Sequence, residues 1–258
     1  LMKYNSITIS KKIRKKILNV TYKAQSAHIG SSLSIVDIIT VLYLKIINRN
    51  IKNIFILSKG HACLAHYCLL NQFKVISDKM LNTYGKNNSI LMCHSSHKVK
   101  GVNLSTGSLG HGLPVATGIA LSNVILKRKE KVFVLLSDGE LNEGSNWESI
   151  LFAAHHKLKN LVIIIDYNKI QSLDSVKNTI KLEPIKQKFL SFGCDAVLIN
   201  GHNHKEIVKA IKKKTTKPLV IIANTIKGKG VSFMENKVLW HYRSPNKIEL
   251  EKGLKELD

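Results

Sequence analysis

The chain has 258 residues, of which 44% are hydrophobic and 22% charged, a balance that suits one large α/β domain with a real core. Its net charge of +23 can indicate nucleic-acid binding, but the lysines are dispersed, aromatic residues make up only 6%, and no DNA- or RNA-binding motif is present. We predict weak, salt-sensitive DNA association without sequence preference, and no apolar run approaches the roughly 20 residues of a membrane-spanning helix.

The first predicted elements are two helices joined by a turn of small residues. Residues 7–27 have the pattern of a basic amphipathic helix, with Ser10 as its N-cap. The turn that follows contains His28 and Gly30. A second helix is expected over residues 35–45, where Ser34 and Asp37 form a Ser-x-x-Asp capping pattern.

A short apolar strand over residues 53–57 ends in the polar turn Ser58-Lys59-Gly60-His61-Ala62. Farther on, His94 and His97 lie in a stretch without helical periodicity or a third metal ligand nearby, which argues against a metal site there. The Gly-rich segment from Ser105 to Gly112 precedes a helix expected over residues 114–127. Such a loop is either an anion site or only a tight turn.

The central segment, residues 131–173, is predicted to be a βαβ unit with parallel strands over residues 132–136 and 161–165. Polar residues follow both strands, and ligands of parallel α/β sheets bind at that edge. Asp138, Asn168 and the carbonyl of Ile170 offer the oxygen ligands that Mg²⁺ prefers. Gly139 allows close backbone approach to a phosphate, and the helix starting near Gly144 is expected to direct its N-terminus there. For either turn alone, an ordinary Asp-Gly or Asn turn is the simpler interpretation.

The remaining chain continues the alternation of helices and strands. We expect a helix over residues 183–192, a strand over 195–199, a helix from the capping pattern at Asn203 to Lys214, and a strand over 219–223. His155, His156, His202 and His204 are interpreted as structural residues. Four cysteines without C-x-x-C spacing favour free thiols and a cytoplasmic location.

Several segments carry a family resemblance that extends from about Ile13 to Ser244. The segments SDGELNEGSNWE and DYNKIQS resemble the thiamine diphosphate motif of the transketolase family, with Ser137 where the family generally has Gly. AHIGSSLS and STGSLGHG are similar to two further family motifs, from which Ala27 and His111 depart. SKGHA matches without a change, and TIKGKGVSFME followed by Trp240-His241 resembles the family's ending of this domain.

The resemblance implies a three-layer α/β fold, a mostly parallel sheet with helices on both faces, as a single thiamine diphosphate/Mg²⁺-binding domain over residues 1–258. It implies Mg²⁺ ligation by Asp138, Asn168 and the Ile170 carbonyl. The implied cofactor-binding residues are His61, Gly107, Leu109, Gly139, Glu143, Asn168 and His241. The implied catalytic residues are His28, His61, His94 and His241, with His94 favoured over His97 by its distance to Gly101. Glu143 lies at the subunit interface in the family.

A whole transketolase also carries a pyrimidine-binding domain, which supplies a catalytic glutamate, and a third C-terminal domain. The resemblance therefore implies the N-terminal subunit of a split transketolase that transfers ketol units between sugar phosphates. The implied partner is a C-terminal transketolase subunit, in a heterotetramer. Two alternatives stay open: a related thiamine enzyme, such as a deoxyxylulose phosphate synthase or a specialised sugar-modifying ketolase, and an inactive basic binding protein that retains the fold.

Overall fold

A computed structural model describes residues 5–47 and 52–258. Within these residues, five strands form one sheet in the order β1-β2-β3-β5-β4, and all neighbouring strands are parallel. The strands are β1 (Ile54–Leu57), β2 (Val132–Ser137), β3 (Leu161–Tyr167), β4 (Asp195–Asn200) and β5 (Leu219–Asn224). Because every strand runs in the same direction, the turns that follow them meet at one edge of the sheet.

The helices cover both faces of this sheet. They are α1 (Ser6–Ala24), α2 (Ile29–Ser34), α3 (Val36–Lys45), α4 (Cys63–Gln72), α5 (Asp78–Leu81), α6 (Gly112–Ile125), α7 (Gly144–His155), α8 (Val176–Thr179), α9 (Ile185–Ser191), α10 (His204–Ile211) and α11 (Lys247–Glu256). Short 3-10 turns occupy Gly60–Ala62, Gly139–Asn142 and Val238–His241. In the described residues no helix combines the length and apolar composition needed to cross a bilayer.

Two hydrophobic cores lie on opposite faces of the sheet. Phe133 and Leu135 of β2 pack in one core with residues of α1, α3, α4 and α10. Val134 and Leu136, which alternate with them along the same strand, pack in the other core with residues of α6, α7 and α9. Successive strand residues point to opposite faces, so both faces are buried and the strands are apolar throughout. The predicted three-layer α/β fold is confirmed.

Two predicted helix caps are wrong. The cap of α1 is Asn5, whose Oδ1 accepts from the backbone N–H of Ile7 at 2.9 Å, and Ser10 is buried inside the helix. Ser34 ends the unpredicted helix α2, and its hydroxyl donates to Asp166 at 2.7 Å. Asp37 does not complete a cap, because its carboxylate accepts from Arg14. Ser34 and Asp37 bond to distant residues and so do not form the local cap that the sequence spacing indicated.

Two glycines let the turns at the carboxyl edge interlock. A Cβ on Gly60 would lie 2.3 Å from the carbonyl oxygen of Thr106, and one on Gly112 would lie 2.2 Å from Ser58 Oγ. Neither distance tolerates a side chain. The turn after β1 and the Gly-rich segment before α6 therefore pack in direct backbone contact, and together they form one side of the cavity described below.

Candidate functional site

A cavity of about 240 Å³ lies at the carboxyl edge, where β1, β2, β3 and β5 end. Ligands of parallel α/β sheets bind at this edge. All predicted site residues except Glu143 line the cavity: His28, His61, His94, Gly107, Leu109, Asp138, Gly139, Asn168, Ile170 and His241. These residues come from distant parts of the sequence, so their convergence on one cavity is a property of the fold.

The βαβ unit brings the predicted metal ligands together. Asp138 follows β2 and is 1% exposed. Its carboxylate accepts from the backbone N–H of Gly139 at 2.7 Å and from that of Lys169, which follows β3, at 2.6 Å. Asn168 donates its amide NH₂ to Asp166 at 2.9 Å, and its amide oxygen accepts from Ile170 N at 3.1 Å. Hydrogen bonds therefore fix the orientation of both side chains.

Asp138 lacks a cationic partner at ion-pair distance within the described residues. Burial raises the pKa of its carboxyl to about 7, and the nearby charge of Asp166 contributes to the rise. A shift of this sign means that the ionised form is disfavoured in this environment. A bound cation would stabilise that form, so the carboxyl is suited to a metal ligand.

Lys59 and Asp166 form an ion pair beneath the cavity that the sequence analysis did not predict. Both side chains are 0% exposed, and Lys59 Nζ donates to Asp166 Oδ2 at 2.5 Å. Asp166 also accepts from Ser34, Asn168 and Thr225. Burial alone would raise the pKa of Asp166, but Lys59 and the hydrogen bonds from Thr225 and Ser34 hold it below its ordinary value. The carboxylate therefore stays charged and keeps Lys59 at the cavity wall.

A second buried lysine, Lys227, approaches the cavity from the loop after β5. Its Nζ donates to the carbonyls of Ile170 at 3.1 Å and Gln171 at 3.0 Å, and to His241 Nδ1 at 3.1 Å. Burial, together with the nearby charge of Lys59, lowers the pKa of Lys227 to about 8. Within the described residues no carboxylate pairs with this ammonium group. It is a cation suited to an incoming anion.

Four imidazoles surround the same cavity. The ring of His28 lies 5.4 Å from that of His61, 5.9 Å from that of His94 and 4.9 Å from that of His241. Burial lowers the pKa of His28 to about 4 and that of His241 to about 3, and it lowers the pKa of His61 well below its ordinary value. These three rings are neutral near pH 7. Among the described residues, no three or more His, Cys, Asp or Glu side chains are grouped so that they alone could hold a metal ion.

His28 has a left-handed backbone conformation, with φ of 69°. A non-glycine residue rarely adopts this conformation, and its strain persists only where the surrounding structure holds it. Here the backbone N–H of His28 donates to the carbonyl of His241 at 2.8 Å, which joins the turn before α2 to the last 3-10 turn. The strained turn thus brings two of the four imidazoles together.

The structure distinguishes between His94 and His97. His94 lines the cavity, and a Cβ on Gly107 would lie 3.4 Å from its ring. His97 does not line the cavity, and its backbone N–H and ring Nδ1 lie 2.9 and 2.7 Å from Ser105 Oγ. Of the two, His94 is therefore the one positioned to contact a ligand in this cavity.

Glu143 lies outside the cavity. It is exposed, and it packs against the turn at Gly110, whose Cβ would lie 2.7 Å from that of Glu143. The nearby Glu140 is instead buried, accepting from Ser58 Oγ and from the backbone N–H of Gly110. Glu143 of this chain therefore does not contact the space that a ligand in the cavity would occupy. Gly144, the first residue of α7, also lies outside the cavity, whereas Gly139 forms part of the cavity wall.

Sequence reasoning missed three charged site residues: Lys59, Asp166 and Lys227. A lysine in a polar turn is ordinarily solvated, so its residue type gives no sign of burial. One signal was present: Asp166 ends a buried apolar strand, and a buried carboxylate requires a cationic or hydrogen-bonding partner. The two lysines also lie inside the family segments SKGHA and TIKGKG, next to residues that were singled out.

Comparisons with known proteins identify the family of the chain. Residues 6–249 match the family described as transketolase, thiamine diphosphate binding domain. An apulose-4-phosphate transketolase subunit of Actinobacillus succinogenes is 40% identical, with 96% of this chain and 94% of that protein covered. The 6-deoxy-6-sulfo-D-fructose transketolase subunit SqwG of Clostridium sp. is 35% identical, with 89% and 87% covered.

A solved structure of transketolase from Campylobacter jejuni superposes with a TM-score of 0.90 at 28% sequence identity. The match covers 99% of this chain and 43% of that one, so this chain spans less than half of the larger enzyme. Fold and cavity together define a parallel α/β protein with a candidate ligand site at the carboxyl edge of its sheet. The chain belongs to the transketolase family and corresponds to its thiamine diphosphate binding domain.

Proposed function

We propose that this chain is the diphosphate-binding subunit of a split transketolase, which transfers a ketol unit between sugar phosphates with thiamine diphosphate and Mg²⁺. Residues 1–258 would act as a single cofactor-binding domain. One observation carries the proposal: Asp138, Asn168 and the Ile170 carbonyl converge on a cavity that two buried lysines also reach. Oxygen ligands beside cations are the combination that a metal-bound diphosphate requires.

The residues fit Mg²⁺. A hard cation prefers carboxylate, amide and carbonyl oxygens, and this cavity edge supplies one of each from Asp138, Asn168 and Ile170. The raised pKa of Asp138 supports the assignment, because a divalent cation would restore the ionised carboxylate that burial disfavours. The Ile170 carbonyl now accepts from Lys227, so it is already oriented toward a positive charge.

The residues also fit a diphosphate. Lys227 offers an ammonium group that no carboxylate pairs with in the part of the chain that the structure describes, and His61 and His241 line the same cavity. Gly139 presents backbone without a side chain at the position where a phosphate would approach. Bound negative charge would raise the lowered pKa values of His61, His241 and Lys227 toward their ordinary range. Binding of the anion and protonation of these groups would therefore be coupled.

When bound, thiamine diphosphate supplies the thiazolium carbanion that carries the ketol unit. His28, His61 and His94 line the cavity and would lie along the route of the sugar, and His28 and His61 are neutral near pH 7. Neutral imidazoles can accept a hydroxyl proton from the sugar and return it later. Gly107 and Leu109 form the wall on which, by family resemblance, the pyrimidine ring of the cofactor would lie.

A partner subunit would complete the site by covering the pyrimidine and supplying a glutamate. The relatives that are themselves named as transketolase subunits support this division. Large apolar side chains exposed on α6 and α7, namely Ile125, Leu151 and Phe152, offer surface for association, and exposed Glu143 is available there. We propose a heterotetramer with two copies of each chain. The cytoplasmic location stays a prediction.

The sugar substrate is proposed only by class. Relatives at 40% and 35% identity are named for apulose-4-phosphate and for 6-deoxy-6-sulfo-D-fructose. Both names specify an anionic sugar derivative, and the Lys227 ammonium gives the cavity wall a positive charge. A specialised sugar-modifying ketolase is therefore the second candidate. Assays of the assembled enzyme against pentose, hexose and branched sugar phosphates would separate it from a general transketolase.

Calorimetry tests the cofactor site directly. We expect saturable, Mg²⁺-dependent thiamine diphosphate binding by the wild-type chain, and none by Asp138→Ala, whose fold should be retained. His97→Ala is the matched control, since His97 lies outside the cavity and should leave binding unchanged. Unaltered affinity in Asp138→Ala would contradict the metal assignment. No binding by the wild-type chain would favour an inactive protein that retains the fold.

Activity tests the subunit division. The isolated chain should show no significant ketol transfer with Mg²⁺ and cofactor, because the pocket lacks its second half and lies open to water. Mixing with the candidate C-terminal subunit should restore transfer. Robust activity from the chain alone would contradict the split-enzyme proposal while leaving the cofactor site itself intact.

A further inference from the structure

A buried charged cluster lies outside the cavity, centred on Asp37 of α3. The Asp37 carboxylate accepts from Arg14 Nη1 at 3.1 Å and Nη2 at 2.6 Å, from His202 Nδ1 at 2.8 Å and from His204 Nε2 at 3.0 Å. Burial alone would raise the pKa of Asp37, but the two imidazoles and the guanidinium hold it well below its ordinary value. The cluster therefore contains a permanent carboxylate that joins α1, α3 and the β4–α10 turn.

The two histidines of this cluster differ in what their second nitrogen contacts. His202 Nε2 accepts from the backbone N–H of Ile226 at 2.9 Å, so its Nδ1 carries the proton donated to Asp37. His204 Nδ1 instead lies 2.7 Å from the hydroxyl of Ser6. Their side chains are 13% and 14% exposed, respectively. They are thus alike in burial and in their bond to Asp37, but only His202 reaches the loop after β5.

The loop after β5 is held on both sides of Lys227. Ile226, which precedes Lys227, donates its N–H to His202, and the carbonyl of Lys229 accepts from Arg14 Nε at 2.9 Å. Both of these partners are bound by the Asp37 carboxylate. Between the two anchors, the Lys227 side chain crosses to the cavity and donates to Ile170 and Gln171. Side chains bound by one buried carboxylate therefore hold the backbone on either side of this lysine. The N–H of Gly228 also donates to Gly30, and that of Asn236 donates to the Lys227 carbonyl.

We propose that His202, Arg14 and Asp37 form a positioning device that holds the Lys227 ammonium at the cavity wall. The inference rests on the proposed function, in which the cavity takes a metal-bound diphosphate. None of the three side chains lines the cavity, so they would act through the loop and not by contact with the ligand. Outer partners of this kind typically alter affinity by about 10–100-fold when removed.

The test compares His202→Ala with His204→Ala in the full chain. Both substitutions remove one hydrogen bond to Asp37 from a similarly buried ring, so their losses of unfolding free energy should be similar. We expect His202→Ala to weaken binding of Mg²⁺-pyrophosphate by about 10–100-fold in calorimetry. His204→Ala should bind as the wild type does. His202→Gln, whose amide can accept from Ile226 and donate to Asp37, should recover part of the loss.

A second measurement does not depend on ligand binding. Reductive methylation followed by mass spectrometry reports how readily Lys227 reacts, with exposed Lys205 as the internal reference. Lys227 should react faster in His202→Ala than in wild type, and at the wild-type rate in His204→Ala. Equal effects of the two alanine variants, in binding or in labelling, would overturn the positioning role. Wild-type chain that fails to bind pyrophosphate would instead contradict the proposed function, while the labelling comparison would still decide the positioning role.

Discussion

Replacing Lys59 with methionine should destabilise the chain through Asp166. Methionine matches the length of the lysine stem but removes the cation, and Asp166 remains fully buried. Removing one partner of a buried ion pair typically costs about 3–5 kcal/mol, since the other charge is left without compensation. Ser34, Asn168 and Thr225 would still donate to the carboxylate. We therefore expect a loss at the lower end, about 3 kcal/mol.

Urea unfolding followed by circular dichroism at pH 7, without cofactor, measures this loss. Lys15→Met is the control, because Lys15 pairs with the exposed Asp258 and exposed ion pairs contribute little. The double variant Lys59→Met with Asp166→Asn should recover much of the loss, because no buried charge remains. Recovery in the double variant would assign the effect to the unpaired carboxylate and not to the methionine.

The stability loss of Lys59→Met should depend on pH. In wild type, Lys59 keeps the pKa of Asp166 low, whereas in Lys59→Met burial should raise it above the unfolded value. A carboxyl with a raised folded-state pKa destabilises the fold fully above that pKa, and the destabilisation declines as the pH falls from there toward the unfolded pKa of about 3.9. The deficit of Lys59→Met should shrink as the pH falls from 7 toward 5. A loss below about 1 kcal/mol, as for an exposed pair, or a deficit independent of pH, would refute this reasoning.

Two further predictions concern packing and acid stability. Gly60→Ala should lower the unfolding free energy by about 1–3 kcal/mol, because its Cβ would lie 2.3 Å from the Thr106 carbonyl oxygen. Gly118→Ala in α6, where a Cβ would meet nothing within 4 Å, should raise the unfolding free energy by about 0.5–1 kcal/mol. Equal effects of the two variants in thermal unfolding would contradict the steric account. Burial lowers the pKa of His66 to about 3, so stability should fall as the pH drops from about 6.5 toward 4, by up to about 1.4 kcal/mol per pH unit for each such histidine. In denaturant unfolding of His66→Gln, the slope of the unfolding free energy against pH should correspond to one fewer proton taken up on unfolding. An unchanged slope would mean that His66 is not kept neutral in the folded chain.

The neighbouring positions of Asp138 and Asn168 could be predicted from the sequence. A single crossover joins β2 and β3, the two strands are parallel, and their ends must therefore share an edge. The direction of the two strands was almost enough to predict that Asp138 and Asn168 are neighbours. The apolar runs likewise predicted the sheet, because strands buried on both faces are hydrophobic throughout.

The charged partners could not be predicted in the same way. Lys59 and Asp166 are 107 residues apart, and nothing in either local pattern indicates the contact. Asp37 matched a local capping pattern, yet its partners Arg14, His202 and His204 come from distant segments. Local spacing reports on helix ends and strand faces. Which buried cation meets which buried carboxylate depends on how the layers pack.

Within the described residues the Lys227 ammonium has no carboxylate partner at ion-pair distance, so an anionic ligand beside it would link ligand supply to the stability of the folded chain. A ligand that binds only the folded state adds RT ln(1 + [L]/Kd) to its stability, about 2.7 kcal/mol at a hundredfold excess over Kd. In cells, small differences in the unfolded fraction change how much protein escapes proteolysis. This gain depends only on the ratio of the free ligand concentration to Kd, so the folded chain gains stability whenever its anionic ligand is present above Kd. Its steady-state abundance should therefore rise and fall with the supply of that ligand.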